Sequence, residues 1–177
     1  MDAEELKKEG NKAFSNKEFK KAAKLYRDAI KLDPKNPVLY SNRAMCFIKL
    51  ESWKRSFLDC EKGLVYAGKE QKSLRVKLFW RKGIALTKLE DYNLALDSYN
   101  DALKLDGENR VVLNEQKALK LKILSNSAKK LKTEPYNDEI QELSVKIVGT
   151  LPYDLQKLVY NNTKKSTKVL NEFQQNI

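Results

Sequence analysis

The stretch LKKEGNKAF, residues 6–14, puts Lys7 and Asn11 four residues apart, on one face of a predicted helix and either side of the turn that holds Gly10. A lysine brings a positive charge with three hydrogen-bond donors, and an asparagine brings amide donors without charge. Stacked this way they do nothing for an apolar core, but together they can hold an anion. Glycine inside a helix costs about 1 kcal/mol against alanine, so close helix packing or binding has to offset a local penalty.

The remaining chemical inventory is short. Histidine is absent, which removes Ser-His-Asp and Cys-His catalysis and the histidine-containing zinc sites. There is no glycine-rich phosphate loop and no clustered cysteine spacing. No catalytic residue, metal ligand or cofactor site is expected; the chain reads as a binding protein and not an enzyme. Cys46 and Cys60 are no disulfide framework and read as small buried thiols in a reduced compartment, the cytoplasm with the nucleus as a second location. The N-terminus MDAEELKKEG is charged and has no signal-like apolar segment, and no apolar run approaches the ~20 residues of a membrane span. A membrane partner is not expected.

Composition says which elements position such a face. Six glycines and four prolines in 177 residues are too few for a turn-rich β protein, and the abundant Ala, Leu, Lys and Glu are good helix formers. An all-α fold is expected. The formal net charge of +11 is divided between the first 109 residues and the remainder, and favours an acidic partner without saying which.

An internal repeat organises these helices. EGNKAFSNKEFKKAAKLYRDAIKLDPKN (9–36) aligns with KGIALTKLEDYNLALDSYNDALKLDGEN (82–109), matching Gly10 with Gly83, Phe19 with Tyr92, Ala22 with Ala95, Tyr26 with Tyr99 and Ala29 with Ala102. Residues 37–64 fit the same frame with Ala44, Trp53, Ser56, Cys60 and Gly63. This pattern of small and aromatic residues resembles the tetratricopeptide repeat (TPR), a helix–turn–helix unit of about 34 residues whose copies stack to share a core. The resemblance implies a three-repeat α-solenoid at 3–131, with repeats 3–36, 37–70 and 76–109 and a capping helix 110–131 that carries apolar Val111, Val112, Leu113, Ala118, Leu119, Leu121 and Leu124. Ser56 and Gly63 stand where alanines are usual and should loosen the second helix of repeat two. The insertion YAGKEQKSLR means either a longer connection into repeat three or an extended helix.

Such arrays line a concave groove with their first helices. Counted from the start of each repeat, Lys7 is at position five and Asn11 at nine, Asn42 at six, Lys77 at two and Arg81 at six. With the strings KEGNKAF, LYSNRAM and KLFWRKG, this resembles the dicarboxylate-clamp cochaperones, which bind the acidic Glu-Glu-Val-Asp terminus of heat-shock protein 90 and heat-shock protein 70. The resemblance covers residues 3 to about 125. It implies that Lys7, Asn11 and Asn42 grip the terminal main-chain carboxylate, Lys77 pairs with the aspartate side chain, and Arg81 adds fork-like donors. Met45 and Ile48 either touch the peptide's valine or pack between helices.

After Lys132 the pattern breaks at Pro135, and Ile140, Leu143, Val145, Ile147 and Val148 suit a short strand or a helix. Pro152 restarts the chain, with Leu155, Leu158 and Val159 on a helical face. This tail, 132–177, is either a packed appendage or a segment docking a second protein. SNRAMCFIKL and LRVKLFWRKG are most similar to the small adaptor family that joins heat-shock protein 90 to the assembly complex of the RuvB-like ATPases, in which a segment like VKIVGTLPYDL binds a companion subunit. The myosin-chaperone and stress-inducible scaffold families share similar repeats. A rival reading, a basic helical-repeat protein that binds nucleic acid or serves as a generic scaffold, is weakened because the aromatics mostly occupy repeat slots.

Overall fold

The protein is described by a computed structural model that covers residues 1–133, 149–150 and 156, with side chains described for 1–127, 149, 150 and 156. Among the described residues it contains helices and no strand: α1 (Ala3–Ser15), α2 (Phe19–Leu32), α3 (Pro37–Lys49), α4 (Trp53–Tyr66), α5 (Lys72–Lys88), α6 (Tyr92–Leu105) and α7 (Arg110–Thr133). The chain forms two compact units, 1–119 and 120–177. In the second, residues 120–133 continue α7, and Gln156 Nε2 donates to the Gly149 carbonyl at 3.3 Å. The tail expected at 132–177, with its docking segment, lies outside the described residues apart from 132–133, 149–150 and 156.

Three helix starts, those of α1, α3 and α7, are capped by a side chain. The Glu5 amide donates to Asp2 Oδ1 at 2.8 Å and the Asp2 amide donates to Glu5 Oε2 at 2.9 Å, a reciprocal cap on α1. Before α3, Asn36 accepts from the Val38 amide at 3.1 Å while Pro37 opens the helix. Asn109 serves α7 in the same way, accepting from the Val112 amide at 3.2 Å. Asn36 and Asn109 each also donate to the aspartate three residues back, Asp33 or Asp106, at 2.9 Å. Residues 68–71 make the corresponding turn, the Gln71 amide donating to the Gly68 carbonyl at 3.1 Å, with the Gly68 amide donating to Gln71 Oε1 at 3.2 Å in place of the Asn–Asp bond. There Arg75 Nη1 donates to the carbonyls of Ala67 (3.0 Å) and Leu64 (3.4 Å), and α5 has 17 residues against 13 in α1 and α3. The insertion has lengthened the helix.

The turn inside each repeat places the same frame position in left-handed backbone: Lys17 (φ 63°), Glu51 (φ 55°) and Glu90 (φ 67°). Each costs roughly 1–2 kcal/mol in a residue with a Cβ. The next amide returns to the preceding helix in every case, Glu18 to the Ala13 carbonyl (2.9 Å), Ser52 to Phe47 (2.8 Å) and Asp91 to Leu86 (3.0 Å). Those bonds satisfy terminal carbonyls and reverse the chain.

The paired helices then approach until a ring meets a backbone. A Cβ on Gly10 would stand 2.7 Å from the Tyr26 ring, and one on Gly83 would stand 2.4 Å from the Tyr99 ring. Gly63, expected to loosen α4, is where Leu78 of α5 inserts, 2.7 Å from an added Cβ. Neighbouring repeats share their cores. Leu39 and Cys46 of α3 join Ala13, Ala22, Tyr26 and Ala29 of repeat one, and Leu78 of α5 joins Ala44, Cys60 and Ala67. In the first turns of α7, Val112 and Leu119 are buried, while Val111 and Leu113 are exposed and take no part in the cap.

One buried ion pair ties α3 to α4. Arg43 Nε and Nη2 donate to both Asp59 oxygens at 2.8 and 2.7 Å. Burial pushes the Asp59 carboxyl above its ordinary range, and Arg43 pulls it partly back. Because both charges are withdrawn from water, removing one partner would cost more than the intact pair contributes.

Gly83→Ala is expected to lower stability by about 1–3 kcal/mol, because the clash with Tyr99 outweighs the gain in helix propensity. Gly107→Ala, whose nearest neighbour is 3.5 Å away, should stay within about 0.5 kcal/mol of wild type; urea unfolding midpoints decide. The Cys46 and Cys60 thiols are fully buried and burial pushes both up to about 12, so neither should react with a disulfide reagent at pH 8 until urea unfolds the chain.

Candidate functional site

The first helices of the three repeats carry all the residues singled out above. Lys7 and Asn11 are on α1, Asn42, Met45 and Ile48 on α3, and Lys77 and Arg81 on α5. Helix rotation is set by buried pairs seven residues apart, Leu39 with Cys46 on α3 and Leu78 with Ala85 on α5. In both helices the residue three after the first of the pair, Asn42 or Arg81, therefore sits at the same angle to the core.

Asn11 is the hub. Its Oδ1 accepts from the Tyr26 hydroxyl at 2.7 Å and from Asn42 Nδ2 at 3.2 Å. With the oxygen engaged on both sides, the amide orientation is determined and Nδ2 is the group left to donate. Asn42 spends one of its two N–H groups on Asn11 and keeps the other. Burial raises the Tyr26 hydroxyl to about 12, so it stays a donor at neutral pH.

Arg81 lies one residue along from this junction. Its Nη1 donates to the Ser41 carbonyl at 2.6 Å and to the Ser41 hydroxyl. Its Nε is buried without a hydrogen-bond partner, and burial depresses its pKa. Guanidinium pKa values are so high that the group stays charged all the same. Part of the fork that sequence reasoning assigned to a ligand is thus used to hold Arg81 in place, and among the described residues neither Nε nor Nη2 has an internal partner.

Lys7 is one turn before Asn11 and its Nζ pairs with Glu4 Oε2 at 2.6 Å; Glu4 is exposed. Lys77 is one turn before Arg81 and exposed. Met45 and Ile48 are half-buried on α3, one and two turns past Asn42. Direct bonds therefore join Asn11 to Asn42, and Ser41 fastens Arg81 beside them. The lysines flank this centre on their own helices without a bond to it. Three partners escaped the sequence reading. Tyr26 was visible only as a repeat aromatic, Ser41 only as the neighbour of Asn42, and Glu4 only as a charge in the first turn. Among the described residues no group of His, Cys, Asp or Glu could hold a metal ion, and no helix is long and apolar enough to cross a membrane.

Comparison with known proteins adds the relationships. The tetratricopeptide-repeat profile matches residues 13–36 and 76–109. The heat shock protein sti1 homolog of Schizosaccharomyces pombe is 38% identical over 117 residues, 66% of this chain, which spans only 19% of that relative's length. The Arabidopsis OM64 TPR domain is 32% identical with a TM-score of 0.61, covering 66% of this chain and 93% of that domain. The first TPR of Spaghetti (RPAP3), bound to the HSP90 peptide SRMEEVD, is 27% identical with a TM-score of 0.63, covering 68% of this chain and 92% of that one. The second TPR domain of human RPAP3, in complex with the HSP70 peptide SGPTIEEVD, is 28% identical with a TM-score of 0.60, covering 65% and 92%. With its helix pairs stacked through shared cores and its relatives all built the same way, the chain belongs to the tetratricopeptide-repeat family and is related to the TPR domains of the Sti1 and RPAP3 proteins.

Proposed function

We propose that this protein is a non-catalytic cochaperone adaptor that binds the acidic Glu-Glu-Val-Asp terminus of heat-shock protein 90 or heat-shock protein 70 in the groove of its first helices. The observation that carries the reading is the Asn11–Asn42 bond with Arg81 fastened beside it, which leaves oriented amide and guanidinium donors unused within the fold. A C-terminal aspartate presents two carboxylates a few ångströms apart. Asn11 Nδ2, the free N–H of Asn42 and Lys7 meet the main-chain carboxylate. Lys77 pairs with the aspartate side chain, and Arg81 reaches the peptide oxygens through Nη2. Neutral amides between the cations add donors without adding positive repulsion. Met45 and Ile48 offer apolar surface to the valine.

Support comes from the relatives that hold such peptides, RPAP3 with SRMEEVD and with SGPTIEEVD. The finer placement, among small adaptors that join heat-shock protein 90 to the RuvB-like ATPase complex through a tail at 132–177, rests on the resemblance of residues 41–50 and 74–83 alone. Cytoplasmic residence is part of the same reading.

Titration with Met-Glu-Glu-Val-Asp is expected to give micromolar affinity, about −8 kcal/mol, that weakens with salt. Amidating the peptide terminus, Lys77→Ala or Arg81→Ala should each weaken it about tenfold or more, as hydrogen bonds to charged groups contribute about 1.5–3 kcal/mol. Unchanged curves with the amidated peptide would refute the clamp. Tyr26→Phe keeps the ring over Gly10 and removes only the hydroxyl on Asn11. It should weaken the peptide about two- to tenfold while leaving the circular dichroism spectrum intact, and an unaltered affinity would mean that Asn11 needs no orienting partner.

A further inference from the structure

The second helices of the repeats turn one face to solvent, and repeat two differs there from the other two. Counted from the start of each repeat, Lys24, Leu58 and Asp97 share one position, and Lys31, Val65 and Lys104 share another seven residues on. All six are exposed, so the fold makes no demand on them. Charge is the ordinary choice at such places, yet α4 carries a leucine 56% exposed and a valine 78% exposed. Single apolar residues scattered over a surface need no explanation. These two are seven residues apart on one helix, so they stand about 10 Å apart on the same face. Helix propensity does not account for the valine, because lysine forms helix more readily. The surroundings of the pair are cationic. Lys54 lies one turn before Leu58 and Lys62 one turn after it, both exposed, and neither makes an ion pair among the described residues. Glu61, the exposed acid of α4, is already held by Lys82 of α5 at 2.7 Å. What is left is an apolar stripe between two lysines without counter-ions.

We propose that the outer face of α4 is a second docking surface, separate from the groove of first helices, and that its occupant is an acidic amphipathic helix of another protein. A helix suits it for two reasons. The main-chain groups of α4 are spent inside that helix, so an extended segment laid along it would leave its own N–H and C=O groups without partners wherever it excluded water. A helix arrives with those groups already satisfied. A helix with apolar residues seven apart also matches the spacing of Leu58 and Val65 along its length. Acidic residues on either side of that apolar line then meet Lys54 and Lys62. A second copy of this chain is disfavoured by the same lysines and by the net charge of +11. The proposal does not rest on the clamp, because the clamp residues lie on α1, α3 and α5 and none on α4.

Fluorescence anisotropy of a labelled helical peptide on the full chain tests this. The peptide repeats Leu-Ala-Ala-Glu-Glu-Ala-Ala, with both ends blocked so that it offers no terminal carboxylate to the groove. Binding is expected at about 100 μM, and Leu58→Gln or Val65→Gln should weaken it about tenfold, as for loss of a buried aliphatic side chain. Lys54→Glu and Lys62→Glu together should exchange the preference, releasing this peptide and binding its counterpart with lysines for glutamates. Met-Glu-Glu-Val-Asp should bind Leu58→Gln and Val65→Gln as it binds wild type. A parallel loss of that groove peptide would put the effect in the groove and overturn the proposal. The proposal also fails if the acidic peptide does not bind, if both glutamine variants hold it as well as wild type does, or if wild type holds the lysine counterpart equally. Two other occupants have their own signatures, and either overturns it. A dimer in sedimentation that Leu58→Gln dissociates would make the face a contact between copies. A benzophenone maleimide on Leu58→Cys, where the buried Cys46 and Cys60 stay unlabelled, would reveal this chain's own tail as the occupant by cross-linking to residues 134–177.

Discussion

The tyrosine ring lying on a bare helix backbone is the contact on which the site depends. Gly10 leaves no Cβ, so Tyr26 of α2 can lie against α1 at a distance that any other residue would block. Only at that approach does the phenol reach Asn11, one residue beyond Gly10. The hydroxyl fixes the asparagine oxygen, the oxygen takes the Asn42 amide from the next repeat, and two repeats become joined at the proposed peptide site. The helix-propensity loss of about 1 kcal/mol at Gly10 is thus offset by packing that also orients a polar group. The same wedge at Gly83 and Tyr99 brings the second phenol near Thr87, so a packing rule used twice yields a polar junction each time.

Small residues and aromatics at fixed spacing reveal the solenoid because they obey a steric requirement that spacing alone expresses. Gly10, Ala22, Tyr26 and Ala29 are legible from their spacing alone. The hydrogen-bonding half of Tyr26 is not, since a buried aromatic and a buried aromatic with a surface task look alike in a string. Ser41 was invisible for a different reason. Its partner Arg81 is 40 residues away, and a serine next to an asparagine carries no spacing signal. The length of α5 was open because an insertion can be absorbed by loop or by helix. Arg75, which closes the α4 carbonyls from inside the added turn, decides for the helix. On α7 the sequence supplied more apolar positions than the first unit buries, because Val111 and Leu113 flank the buried line of Val112 and Leu119 without lying on it.

The cations of the groove differ in how much they stand to gain from an anion. Lys7 already holds Glu4, so a ligand carboxylate there replaces one exposed ion pair by another, and the difference is small. Arg81 is placed otherwise. The fold has taken its guanidinium out of water, left Nε without a partner and given Nη1 only neutral oxygens. Removing a charge from water is costly unless a counter-charge restores the loss, and that cost is borne in the folded protein before any ligand arrives. In the proposed clamp, an incoming carboxylate would therefore recover at Arg81 an interaction that neither Lys7 nor the exposed Lys77 could match. Ser41 and the helix junction keep the guanidinium from swinging out to solvent, which would otherwise relieve the same penalty without a ligand. In the proposed clamp, pre-organisation of this kind would place the selectivity for a doubly charged terminus at Arg81 and leave the flanking lysines to set the rate and salt sensitivity of encounter.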